Sequence, residues 1–397
     1  MASQSTSAFL LFPFLCLACC NVDAELGAAG CYTSIFSFGD SLADTGNRVL
    51  ASADDTVGRP PYGETFFHHP TGRFCDGRLI IDFIAQAIGL PFVKPSLAGV
   101  GEDGEGFRYG ANFATGGATA LDGDYFMSKG MEIPWTNYSL STQLQWFKQL
   151  LPSLCSSAAE CESMMNTSLF LVGEIGGNDY NNPIFKFGRG AIEDVKSFVP
   201  DVVNAISSAI DELISLGART MVVPGNFPVG CSAIYLTIFE SERKEEYDPE
   251  TGCINWLNEF AMYHNRLLRR ELRRQSRRYP EVTIIYADYY EAAMPMYRSP
   301  QQYGFGESAL GACCGGGGTY NCNSSAECGM EGAKVCSNPS SQISWDGIHL
   351  TEAAYKIIAR GLLRSYTFPS ISQLCPQIEW NTFASGDHDD HTLLLSS

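Results

Sequence analysis

The chain has 397 residues, 45% of them hydrophobic, and a formal net charge of −18. So much apolar content fills a core and excludes a disordered chain. So acidic a surface excludes a nucleic-acid partner, because phosphate binding needs the opposite sign.

At the N-terminus an apolar run from Ala8 to Cys20 precedes Val22-Asp23-Ala24. The run is too short for a membrane span and has the pattern of a secretory signal peptide, residues 1–24. No Lys or Arg precedes it, so a retained anchor is the alternative. Residues 34–38 read as a strand, followed by a loop rich in Pro and Gly. Residues 76–89 read as a helix with glycine at its end, and 109–114 as a short strand. An amphipathic helix is expected over 141–151, capped by Ser141. Residues 168–174 form a continuous apolar run, as a buried parallel strand does. Helix 195–216, strand 219–225, helix 253–278, strand 282–288 and helix 350–363 follow. Strands separated by helices imply βαβ units and a parallel sheet. The expected architecture is one three-layer α/β/α domain over residues 25–383, with a disordered tail at 384–397.

Three of the fifteen cysteines fall in the leader, and the remaining twelve suit a disulfide framework. Cys155 with Cys161 and Cys231 with Cys253 would each close a short loop. A metal site at Cys313, Cys314, Cys322, Cys328 and Cys336 is disfavoured, because no CxxC pair and no nearby histidine occur there. No metal and no cofactor are expected. Asn137, Asn166 and Asn323 open Asn-X-Ser/Thr sequons and are candidate N-glycan acceptors.

In open parallel sheets ligands sit beyond the carboxyl ends of the strands. Ser41 follows the first strand, in "FSFGDSLADTGN". Taken alone it also suits a turn or a helix cap. Gly116 and Gly117 follow the second strand, Asn178 and Asp179 the third, and "WDGIHLTEAAY" with Asp346 and His349 precedes the last helix. Together they offer a serine nucleophile, a histidine base, an aspartate to orient it, and donors for an oxyanion. The candidate donors are the Ser41 and Gly117 N–H groups and the Asn178 amide.

The blocks "FGDSLADTGN", "NFATGGATA", "GGNDY" and "DGIH" resemble the plant GDSL esterases and lipases of the SGNH-hydrolase superfamily. The resemblance runs in order from about residue 34 to 359. It implies a flavodoxin-like α/β/α fold and hydrolysis of carboxylic esters. It also implies Ser41 as nucleophile, Asp346 and His349 as acid and base, and an oxyanion hole at Ser41, Gly117 and Asn178. "RPPYGETFFHHPTGRFCDGRLIIDFIA" further resembles the branch that contains acetylajmalan esterase and sinapine esterase. That branch implies a secreted enzyme of the cell wall or apoplast, acting on small acylated metabolites or cell-wall carbohydrate esters. With the N-terminal segment retained, the location would be a secretory-pathway lumen such as the Golgi.

Other residues carry blander expectations. His264 is expected in the core, His68 and His69 at the surface, and His388 and His391 in the tail. Asp179 is expected to brace the Asn178 loop, and Gly315–Gly318 to form a flexible turn. Arg266, Arg269, Arg270, Arg273, Arg274, Arg277 and Arg278 share half of a helix. They suit a solvated face, or weak contact with acidic polymers or surfaces. The site loops carry small and polar residues, so short acyl groups are expected. A long-chain lipase, an acyltransferase with the same nucleophile and a non-catalytic binding glycoprotein are the alternatives.

Overall fold

The first strand, β1 (Ser34–Gly39), is buried at all six positions. A strand covered by helices on both faces must be apolar throughout, which is why "SIFSFG" does not alternate in polarity. In the computed structural model the described residues are 31–99, 106–131, 136–306, 309–323, 325–376 and 378. The expected leader (1–24) and tail (384–397, with His388 and His391) lie outside them.

Besides β1 the main sheet contains β2 (Gly110–Asn112), β3 (Ser168–Glu174), β4 (Thr220–Pro224) and β5 (Thr283–Ala287). A small hairpin pairs β6 (Cys314–Gly315) with β7 (Lys334–Val335), and β8 (Thr367–Phe368) closes the main sheet. The strand order is β2-β1-β3-β4-β5-β8, parallel except for β8. The first five strands thus follow the flavodoxin-like order 2-1-3-4-5. In that order the chain reverses direction across the sheet between β1 and β3, leaving a crevice at their carboxyl ends.

Alternate strand residues feed two cores. Phe36, Phe38, Phe170, Val172, Met221, Val223 and Ile284 pack on one side. Ile35, Leu169, Val222, Ile285 and Ala287 pack on the other. The second side is covered by α1 (Ile80–Ala87). The first is covered by α2 (Leu140–Leu154), α3 (Gly177–Phe187), α4 (Ile192–Ser215) and α5 (Asn255–Arg278). The second side also holds α6 (Tyr289–Arg298) and α7 (Glu352–Arg364). This is a three-layer α/β/α sandwich.

All five expected helices start one to four residues away from expectation, and two of the shifts have a clear local cause. α1 begins at Ile80, because the Asp82 carboxylate accepts the Leu79 N–H (2.9 Å) and caps the helix there. α2 is capped by Ser139, not Ser141: the Ser139 hydroxyl accepts the Thr142 N–H, while Ser141 donates to Asp122 (2.6 Å). Cysteine pairing also departs in part. The two expected short bridges form, alongside Cys31–Cys375, Cys313–Cys336 and Cys314–Cys328. Cys75 and Cys322 remain buried thiols. The Cys75 thiol is turned to the Asp76 carboxylate (3.4 Å) and the Arg78 carbonyl (3.5 Å). No described helix is long and apolar enough to cross a membrane.

Candidate active site

The Ser41 loop begins where β1 stops. Gly39 has φ +149°, and a Cβ there would lie 3.1 Å from the Glu174 carbonyl, so the turn requires glycine. The Gln143 amide grips Gly39 from α2, accepting its N–H and donating to its carbonyl, each at 2.8 Å. The Asp40 N–H then bonds the Glu174 carbonyl (2.9 Å), and the Asp40 carboxyl accepts the Leu42 N–H (3.0 Å). Ser41 is thereby presented, partly exposed, at the carboxyl edge of the sheet.

The Asp346–His349 turn meets it from the far end of the chain. Gly347 adopts φ +99°. One Asp346 oxygen accepts the N–H groups of Ile348 (3.0 Å) and His349 (2.8 Å). The other contacts His349 Nδ1 at 2.7 Å and accepts the Tyr62 hydroxyl at 3.0 Å. His349 Nε2 lies 2.7 Å from Ser41 Oγ. With the proton on Nδ1, facing Asp346, Nε2 accepts the serine hydroxyl. Burial alone would raise Asp346, but the adjacent imidazole and its hydrogen bonds hold it below the usual carboxylate range. It therefore stays ionised beside the ring.

The loop after β2 carries Gly117 and is tied at both ends by carboxylates. Asp44 accepts the N–H groups of Gly46, Asn47 and Arg48, and that of Gly116 at 2.7 Å. Asp179 accepts those of Ala120 (2.8 Å) and Leu121 (2.9 Å), bracing the loop as expected. Between these anchors sits Gly117, at φ +83°. The Asn178 side-chain amide donates to the Ala118 carbonyl (2.9 Å) and lies 3.5 Å from Asp40. Among the described residues, no acceptor meets the N–H of Ser41 or Gly117. Both N–H groups are thus free of partners within the described fold, as a donor to a developing oxyanion must be.

A cleft open to solvent adjoins Ser41. Phe185, Phe227, Tyr235 and Tyr297 line it together with Asn178 and Asn226. No group of three His, Cys, Asp or Glu among the described residues could hold a metal.

A family profile for GDSL-like lipase/acylhydrolase matches residues 35–362. The chain belongs to the GDSL lipase/acylhydrolase family. It is 48% identical to a GDSL esterase/lipase of Arabidopsis thaliana over 379 residues, 94% of this chain and 95% of that one. A second esterase/lipase of the same plant is 49% identical over 380 residues, 94% of this chain and 95% of the relative. Sinapine esterase of Brassica napus is 50% identical over 352 residues, covering 87% of this chain and 88% of that one.

In this GDSL hydrolase the other histidines lie elsewhere. His264 is buried against the Tyr180 hydroxyl (2.7 Å), and burial lowers its pKa to about 4, so it stays neutral in the core. His68 and His69 are exposed. Gln143, Asp44 and Tyr62 support the site and are not picked out by the sequence reading. Gln143 carries a signal nonetheless: it lies on the apolar stripe of Leu140, Leu144 and Phe147, where a polar residue needs a buried partner. The seven arginines of α5 are exposed, with Arg274 paired to Glu271 and Arg278 to Asp211 (3.3 Å).

Proposed function

We propose that this carboxylic ester hydrolase works through Ser41, His349 and Asp346. Ser41 Oγ attacks the acyl carbon of the ester while His349 Nε2 takes its proton. The Asp346 carboxylate holds the ring by Nδ1 and stabilises the imidazolium. The N–H groups of Ser41 and Gly117 and the Asn178 amide receive the oxyanion. The imidazolium then returns its proton to the departing alkoxide, leaving the acyl group on Ser41. Water repeats the sequence in reverse, freeing the acid and the serine. The observation that carries this reading is the continuous path of two 2.7 Å contacts from Ser41 through His349 to Asp346.

The substrate we assign is an acetyl or short-acyl ester of a small plant metabolite or a cell-wall carbohydrate. The small and polar donor loop supports the short acyl group. The relative named for sinapine esterase supports a small-molecule ester. We place the protein outside the cell on its leader-like N-terminus, with the sequons at Asn137, Asn166 and Asn323 as glycan sites. The test is a panel of natural acetyl and acyl esters offered to the secreted, glycosylated protein, with labelling by an organophosphonate. Hydrolysis and labelling should both vanish in Ser41→Ala. A labelled, active Ser41→Ala protein would end the assignment.

A further inference from the structure

With the proton on His349 Nδ1, the Asp346 carboxylate accepts four hydrogen bonds, which fills both of its oxygens. Three come from its own turn: the Ile348 N–H, the His349 N–H and His349 Nδ1. The fourth is the Tyr62 hydroxyl, 284 positions away in the chain and 3.0 Å from the oxygen that also faces Nδ1. Tyr62 is buried, its ring edge-on to that of Trp345 with centroids 5.9 Å apart. Val57 and the disulfide-bonded Cys313, Cys314 and Cys328 complete this small core. Further along the same loop, Phe74 lies against the His349 ring, 4.8 Å between centroids. One loop thus meets both Asp346 and His349, and neither Tyr62 nor Phe74 lines the cleft.

We propose that Tyr62 is a positioning residue of the hydrolysis: it fixes the Asp346 carboxylate from outside its own turn and limits how firmly that carboxylate holds the imidazolium. The role rests on the reading of Ser41, His349 and Asp346 as the catalytic set. A carboxylate that shares its charge with a second donor attracts the imidazolium less, so the ring gives its proton more readily to the departing alkoxide. Burial and the neighbouring Asp346 charge push the Tyr62 phenol well above its ordinary range, so it keeps its proton and donates. The other ionisable groups around the trio are Asp55 and Glu327 beside Tyr62, Asp40 beside His349, and Cys322 and Tyr355 beside Asp346. Among the described residues none of these donates to the Asp346 carboxylate.

The test is Tyr62→Phe, which keeps the ring and removes the hydroxyl, read on a small soluble ester. The value of kcat should fall about 10-fold with KM nearly constant. The acid limb of kcat/KM reports protonation of the base in the free enzyme. It should move up by about half a pH unit, because the carboxylate then holds the imidazolium more firmly. In an Asp346→Asn background the change should have little further effect, since Tyr62 acts through that carboxylate. Thermal melts establish that each variant is folded. If Tyr62→Phe does not fold, a fluorinated tyrosine at position 62 keeps the packing and donates more strongly, and the limb should move down instead. An unmoved acid limb overturns the proposal, whether or not kcat falls, and so does an equal loss in the Asp346→Asn background. With either result and an inactive Ser41→Ala, the catalytic set stands and only the role of Tyr62 is lost. Turnover by Ser41→Ala sinks the catalytic set and Tyr62 with it.

Discussion

Gln143 and Gly39 are 104 residues apart, yet the side-chain amide of the first satisfies both backbone groups of the second. β1 ends at this buried residue, where the N–H meets the Gln143 amide and the carbonyl is shared with the Thr115 N–H (3.1 Å). Gln143→Leu would leave the Gly39 N–H without a partner, at about 1–3 kcal/mol, while the Gly39 carbonyl keeps the Thr115 N–H (3.1 Å). The variant should unfold at lower denaturant and lose turnover, because Ser41 lies two residues on. An unchanged midpoint and unchanged kcat would show that the pair is dispensable.

Replacement of Ser41 or His349, the proposed nucleophile and base, should be far more severe for rate and mild for folding. Ser41→Ala or His349→Ala should lower kcat by up to about 10⁶, since the two act as a unit. Asp346→Asn should cost about 10⁴, because the ring loses the partner that fixes its tautomer. Steady-state kinetics with matched melting curves read both effects.

Asn178→Ala should lower kcat by about 10²–10³ with KM nearly constant, as loss of a donor used mainly in the transition state does. A raised KM at constant kcat would make Asn178 a ground-state binding residue instead.

Two carboxyls beside the site make stability depend on pH. Burial raises Glu174 to about 8 and Asp40 to about 7, both above their ordinary range near 4. Between about pH 4 and 8 the folded chain therefore holds protons that the unfolded chain has lost. Stability from these groups is greatest at the acid end and declines as pH rises through the folded values. Tm should fall from pH 5 to 9, and Glu174→Gln should flatten part of that slope. A Tm that rises across the interval would contradict the burial argument. Turnover should run the other way on acidification, as the His349 ring takes up a proton and can no longer accept one from Ser41.

The arginine face of α5 is exposed, and Arg270, Arg273 and Arg277 are spaced along it. Changing these three to Gln should weaken retention on pectin at low salt while leaving turnover of a small soluble ester as it was. Equal retention would mark the face as a solvated surface only.

The parallel strands are legible in the sequence because burial on both faces forces unbroken apolar runs, as in Ser168–Glu174. α3 is not, since "GNDYNNPIFKF" is polar and contains Pro183. Its first turn is fixed instead by tertiary bonds from Asn178, Asp179 and Tyr180 to other segments. α6 is likewise interrupted by Pro295 and is set by packing in the second core. Ser41, Asp346 and His349 each suit an ordinary loop, and they stand out only in combination, at the carboxyl edge of one parallel sheet. Asp44 and Tyr62 act across the fold, on Gly116 and Asp346, and no local pattern announces such partners.

The bridge between Cys31 and Cys375 turns the described chain into a covalent ring. A protease that cuts once in the exposed stretch at residues 51–54 would divide the polypeptide between Ser41 and His349. Among the described disulfides, only Cys31–Cys375 would then join the short piece with the serine to the long piece with the histidine. The nicked protein should run as one species without reductant and as two with it. Such a cut gives two-piece hydrolases whose active site is assembled from separate peptides.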